Sequence, residues 1–151
     1  MSETELATRM KENYEDRYRF YLPRRSYAII RIDGKSFHTF TRHCEKPYDA
    51  KLRCAMTETA IHLCQNIQGA NFAYLQSDEI SIILTDFTVK TTDAWFDYNI
   101  QKMCSVSASM ATAYFNSMYK HPNGSLAYFD SRVFQIPDRV EVENYIIWRS
   151  I

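Results

Sequence analysis

The chain has 151 residues, 46% of them hydrophobic and 15% aromatic, and its 18 basic and 18 acidic side chains give a formal net charge of zero. That length fits one domain with a single core, and the hydrophobic content excludes an intrinsically disordered chain. Zero net charge argues against coating nucleic acid by charge alone, although twelve Lys and Arg face six carboxylates between Arg9 and Arg53, an excess suited to phosphate.

In chain order, Ser2 and Glu5 stand at capping-box spacing and open a charge-rich helix to about Arg19, packed weakly or used for contacts. Pro23 ends that region. Ser26 to Ile32 is β-branched and aromatic, which predicts a buried strand stopped by the Asp33-Gly34 turn signal. From Asp49 to Gln68 the residues Leu52, Ala55, Met56, Thr59, Leu63 and Ile67 recur at helical steps, with Gly69 at the C-terminal end. Asn71 to Gln76 and Glu79 to Leu84 form two strands of a hairpin joined through Ser77-Asp78. Ala94 to Tyr119 reads as one long helix, broken by His121-Pro122-Asn123-Gly124. Leu126 to Ile136 supplies a fourth strand, and Pro137-Asp138 starts a last helix carrying Val142, Tyr145, Ile146 and Trp148.

The order strand-helix-strand-strand-helix-strand is the split βαβ, ferredoxin-like arrangement, an α+β fold with an antiparallel sheet and helices on one face. The first crossover makes strands one and two parallel with a gap between them, and the hairpin folds strand three back into that gap. The end of strand one then lies beside the start of strand three. Asp33 stands at the first place and Asp78-Glu79 at the second, so acids far apart in sequence face one another.

Carboxylates gathered at a sheet end repel unless a cation is bound, and oxygen-only ligands select hard ions such as magnesium. Magnesium borrows its remaining ligands from phosphates, so such a site implies a nucleoside triphosphate, and two ions suit phosphoryl or nucleotidyl transfer. Gly34 lets a backbone carbonyl approach the ion. Lys35, Ser36, Phe37 and His38 offer successive N–H groups to a triphosphate, as an anion nest or the first turn of a short helix, although the spacing is not that of a Walker loop. Lys46 is a candidate phosphate ligand. Asp49 reads as an N-cap ahead of any role in catalysis. For His38 and His43, stacking or hydrogen bonding ranks ahead of metal ligation.

The four cysteines form no C-x-x-C pair and none has a His at zinc-finger spacing, which favours reduced thiols over structural zinc. The N-terminus lacks the apolar run of a signal peptide and no stretch approaches a membrane span, so the chain reads as soluble and cytoplasmic.

Arg31-Ile32-Asp33-Gly34-Lys35-Ser36-Phe37-His38, Lys46-Pro47-x-Asp49, Gln76-Ser77-Asp78-Glu79, Phe129-Asp130-Ser131-Arg132 and Asn144-Tyr145-x-x-Trp148-Arg149 resemble, in order, the motifs of the tRNA-His guanylyltransferase superfamily. The stretch from Glu79 to Asp86 is closer to its Thg1-like branch. The resemblance implies a polymerase-type palm that adds nucleotides to the 5′ end of tRNA in the 3′-to-5′ direction, as template-dependent end repair after ATP activates the RNA. It implies two magnesium ions held by Asp33, Gly34 and Asp78, with Glu79 as a further catalytic acid. Nucleotide contacts follow from Asp33 to His38 and from Lys46, Asp49, Ser77 and Asp78, with Arg31, Asp130 and Arg132 in support. ATP and GTP or another nucleoside triphosphate are the implied substrates, and a tetramer or dimer the implied assembly.

Ser131 departs from the usual Gly or Ala of the family. Residues 1–136 read as the catalytic palm with its N-terminal helix, and 137–151 as the start of a helical region that continues further in family members. The alternatives are addition of a single G to tRNA-His, or a nucleotide- or RNA-binding palm without full activity. A nucleotide cyclase would need a hairpin motif that Gln76-Ser77-Asp78-Glu79 does not supply.

Overall fold

The computed structural model describes residues 1–151. Its elements are α1 (Glu3–Met10), β1 (Tyr27–Gly34), α2 (Phe37–Phe40), α3 (Ala50–Asn66), β2 (Ala70–Gln76), β3 (Glu79–Leu84), α4 (Ile100–Met118), β4 (Phe129–Ile136) and α5 (Arg139–Ser150). The sheet order is β2-β3-β1-β4, and each neighbouring pair is antiparallel. β3 therefore fills the gap between the parallel β1 and β2, as the split βαβ pattern requires.

Alternation along the central strands sorts their side chains between two layers. Ala28, Ile30 and Ile32 of β1 and Ile80, Ile82 and Leu84 of β3 are buried against α3 and α4, in a core with Met56, Leu63, Met103 and Phe115. Ile29 and Ile83 point the other way and pack with Val142 and Tyr145 of α5. The expected placement of helices on one face thus holds for α3 and α4 and is corrected for α5. The cause is the all-apolar character of the central strands, which leaves Ile29 and Ile83 needing cover on the second face. α5 consequently packs on the second face of the sheet.

Three other boundaries differ from the sequence reading. The capping box at Ser2 and Glu5 forms, but the helix beyond Met10 loosens into a π turn over Lys11–Glu15 and a 3-10 turn over Asp16–Tyr18, and none of these residues is buried. The long helix expected from Ala94 begins at Ile100, because Phe96, Asp97 and Tyr98 are left-handed and the Asn99 side chain caps the new start by accepting from Lys102 N–H at 3.0 Å. Leu126 to Tyr128 lie outside β4. There the Asn116 side chain holds Ala127 through its N–H and carbonyl, at 2.9 and 2.8 Å, in place of a strand partner.

The connection from β3 to α4 is tied down by a buried acid. Asp86 is fully buried and accepts from Arg24 Nε at 2.7 Å and from the Arg25 backbone N–H at 2.9 Å. Arg24 also reaches Asp97 and the Thr92 carbonyl, while the Arg25 guanidinium donates to the carbonyls of Val89 and Lys90. No helix is long and apolar enough to cross a membrane.

Candidate active site

β1 ends where β3 begins, and the ladder sets Asp33 opposite Glu79 on one side and opposite Asp130 of β4 on the other. Asp78 sits in the hairpin turn, fixed by its carbonyl accepting from Gly34 N–H at 3.1 Å. Ser77 takes a left-handed conformation to make that turn. Four acids from three separate segments of the chain are thereby gathered at one sheet end. Burial first, then the charges of Asp78, Asp130 and Glu79, push the Asp33 carboxyl above its ordinary range, and a hydrogen bond with Asp78 favours its protonated form.

Glu79 is placed differently from the other acids. It is buried and gives both oxygens to Arg149 of α5, at 2.8 Å to Nε and 2.5 Å to Nη2, with Arg31 Nε 3.9 Å away. Asp130 is exposed and pairs loosely with Arg132 at 3.5 Å. No three acidic, His or Cys side chains converge on a common point. The pair left for a cation is Asp33 and Asp78, beside the Gly34 backbone. That oxygen-only set fits magnesium, which takes one or two carboxylates and completes its shell with water and phosphate.

The Ser77-Asp78 turn separates two clefts. One, of about 850 Å³, runs from Phe37, His38 and Lys46 along α3 past Arg53 to Gln76, Ser77 and Asp78. The other, of about 500 Å³, is bounded by Asp33, Gln76, Asp78, Glu79, Trp148 and Arg149. Gln76, Ser77 and Asp78 line both. Trp148, read from the sequence as an apolar position of the last helix, and Arg149, which stood only in the family motif, prove to line this cleft although neither was given a site role. Their signal was spacing, since Tyr145, Trp148 and Arg149 stand at i, i+3 and i+4 and share one helical face.

The loop after β1 divides its labour. The N–H groups of Gly34 and Lys35 are already used, by the Asp78 carbonyl and the Tyr128 carbonyl at 2.8 Å. Ser36 is left-handed and precedes α2, so the open N–H groups at the start of that turn are those of Ser36, Phe37 and His38. The Phe37 side chain is buried and packs on Phe40, Phe115 and Phe129, so only its backbone can meet a ligand. A methyl group at Gly34 would stand 2.3 to 2.7 Å from the Phe37 ring. Gly34→Ala is therefore expected to destabilise the fold by about 1–3 kcal/mol, read from the urea midpoint, because the ring is locked in the core.

Asp49 caps α3, accepting from Leu52 N–H at 2.9 Å and from Glu45 N–H at 3.1 Å. Those backbone hydrogen bonds hold its carboxyl below the usual range. His43 meets the Tyr119 hydroxyl and packs edge-on to His121, while His38 is exposed on the larger cleft. The N-terminal basic excess is dispersed: Arg24 and Arg25 hold the Asp86 connection, Arg31 lies under α5, and Lys46 and Arg53 line the larger cleft.

A sequence profile of the tRNAHis guanylyltransferase family (Thg1) matches residues 7–137. An uncharacterised protein of Acanthamoeba polyphaga mimivirus is 31% identical over 170 residues, covering 97% of this chain and 58% of its own length. A probable tRNA(His) guanylyltransferase of Drosophila melanogaster is 33% identical over 129 residues, covering 82% of this chain and 44% of its own. A bacterial tRNA(His) guanylyltransferase (Thg1)-like protein solved with GTP has a TM-score of 0.90 at 51% identity, over 96% of this chain and 69% of that one. Its complex with ATP has the same TM-score and identity, over 95% and 64%. The chain spans about half the length of the curated relatives it matches.

Proposed function

Because this chain belongs to the tRNAHis guanylyltransferase family, we propose that it is a magnesium-dependent nucleotidyltransferase that adds nucleotides to the 5′ end of tRNA, growing the RNA in the 3′-to-5′ direction. The observation that carries the proposal is the Asp33–Asp78 carboxylate pair beside two clefts, Asp78 lining both and Asp33 the smaller. Two substrates approaching from opposite sides would meet there. The solved bacterial relative holding GTP or ATP supports a triphosphate in one of them. Its 51% identity, against 33% for the Drosophila protein, favours the Thg1-like branch, whose motif resemblance implies template-dependent end repair.

The chemistry would run in two transfers. In the first, an oxygen of the RNA 5′-monophosphate attacks the α-phosphorus of ATP and pyrophosphate leaves. In the second, the 3′-hydroxyl of an incoming nucleotide loses its proton and attacks the activated 5′ phosphorus, AMP leaves, and the new 5′ end keeps its triphosphate. Asp33 and Asp78, with the Gly34 carbonyl, would hold magnesium. When bound, the ion supplies positive charge to oxygens that become more negative in both transfers.

The chain's own groups do the positioning. Phe37, His38 and Lys46 line the larger cleft, and the open N–H groups of Phe37 and His38, with that of Ser36 just before them and the ammonium of Lys46, would bind the triphosphate there. Ser77 lines that cleft, Asp49 keeps the start of α3 in place, and Lys35 holds the loop after β1 through its N–H to the Tyr128 carbonyl. Arg132, exposed on β4 beside Asp130, would form the flank from which the RNA phosphate approaches, with Arg31 behind it under α5. The protein would act in the cytoplasm, as a dimer or tetramer.

Lys46 forms no ion pair within the chain, so Lys46→Ala is expected to raise the nucleotide KM about five- to tenfold with little loss of kcat. An unchanged KM would make Lys46 a surface charge. The function itself is tested by incubating the protein with α-labelled ATP, magnesium and a 5′-monophosphorylated tRNA. Label linked to the RNA is expected. With GTP supplied, extension beyond one residue on a 5′-truncated tRNA is expected for repair, whereas arrest after one G would mark a dedicated tRNA-His enzyme. RNA and nucleotide binding without any linked label would leave a binding module.

A further inference from the structure

We infer that Arg149 is a positioning residue that withholds Glu79 from the cation, so that only Asp33 and Asp78 present carboxylates to it; the inference rests on the reading of those two residues as the cation ligands. The ladder sets Asp33 between Glu79 and Asp130 on the α5 face of the sheet, so backbone register alone would offer a third acid beside the pair. Arg149 prevents this by taking both Glu79 oxygens in a two-pronged contact.

The fold brings the guanidinium there by a chain of packing contacts. Val142 and Tyr145 seat α5 over Ile29 and Ile83, and the Tyr145 hydroxyl meets Ser81 Oγ at 2.7 Å. One turn later the Trp148 ring lies 4.5 Å from the Arg149 guanidinium and 5.9 Å from that of Arg31. The indole fixes Arg149 toward Glu79, and Arg31 adds a second positive charge on the same carboxylate.

The consequence is chemical. A hard divalent ion gains affinity with each carboxylate in its shell. Asp33 and Asp78 alone would leave a hard ion dependent on phosphate oxygens for the rest of its shell, so its retention would be tied to a bound triphosphate. A third carboxylate would hold it in the absence of nucleotide and compete with those oxygens.

The test is a double-mutant cycle on nucleotide-free protein, with manganese as the probe and its affinity read by electron paramagnetic resonance. Arg149→Met releases Glu79 toward Asp33 and is expected to tighten manganese binding about tenfold. Arg149→Met with Glu79→Gln removes the ion pair as a unit and is expected to stay within about twofold of the parent. A purely structural role for Arg149 would weaken binding in the single variant, which would overturn the inference. So would a tenfold weakening in the paired variant, since Glu79 would then be a ligand; this arm decides the matter even if the single variant fails to fold. Asp33→Asn separates the two levels. If it loses manganese while Arg149→Met does not tighten, the role of Arg149 alone is wrong. If it keeps manganese, the cation site and this inference both fall.

Discussion

Asp33→Ala and Asp78→Ala are each expected to lower nucleotide addition by about a thousandfold or more, while the thermal midpoint stays level or rises. The loss follows from magnitude. A cation that stabilises phosphoryl oxygens contributes several kcal/mol to the transition state, and each 1.36 kcal/mol is a factor of ten in rate. With Glu79 engaged by Arg149 and Asp130 exposed on the edge strand, no spare carboxylate stands ready to replace either member of the pair. The stability prediction has the opposite sign because Asp33 is pushed toward protonation by burial and three neighbouring acids. Removing one acid relieves that repulsion. Single-turnover addition and a thermal melt on the same preparations check both halves. Activity within tenfold of the parent would take the substituted residue out of the cation site.

Asp86→Ala is expected to produce the largest loss of stability, about 3–5 kcal/mol by urea unfolding at neutral pH. The carboxylate is fully buried, and its removal leaves Arg24 Nε and the Arg25 N–H without their acceptor. Burial alone would push the Asp86 carboxyl up. The Arg24 hydrogen bond, the Arg25 N–H and the Arg24 charge overcome that and hold it below the usual range. A depressed carboxyl contributes stability that is present above its unfolded value, about 3.9, and is lost as pH falls through its folded value. The parent should therefore lose this contribution below about pH 4. The Asp86→Ala protein should show a flatter stability profile over that range. Equal slopes in acid would mean that other carboxyls carry the acid transition.

The gathering of Asp33 and Asp78 at one sheet end was legible in the sequence because two strong local signals happened to stand at the ends of neighbouring strands. Asp33-Gly34 closes an apolar run and Ser77-Asp78 joins two others, so strand order alone brings them together, as the ladder between β1 and β3 does. The Asp49 cap was equally local, needing only an acid three residues before a free N–H.

What escaped depended on contacts between distant segments. Nothing in Ile29 or Ile83 says which helix covers them, so the seating of α5 on the second face, and with it the capture of Glu79 by Arg149, required the packed structure. Asn99 carried a capping signal inside an apolar pattern that otherwise continued, and the pattern masked it. The glycine at position 34 was read for its reach toward an ion. Its clearest structural demand proves to be the Phe37 ring lying where a side chain would stand.

Anomalous diffraction from crystals grown with GTP and manganese tests the cation site most directly. A manganese peak is expected between the Asp33 and Asp78 carboxylates, with the triphosphate in the cleft lined by Lys46 and His38 and with Glu79 still on Arg149. A triphosphate bound there with no manganese at Asp33 and Asp78, or manganese held elsewhere on the chain, would contradict that site.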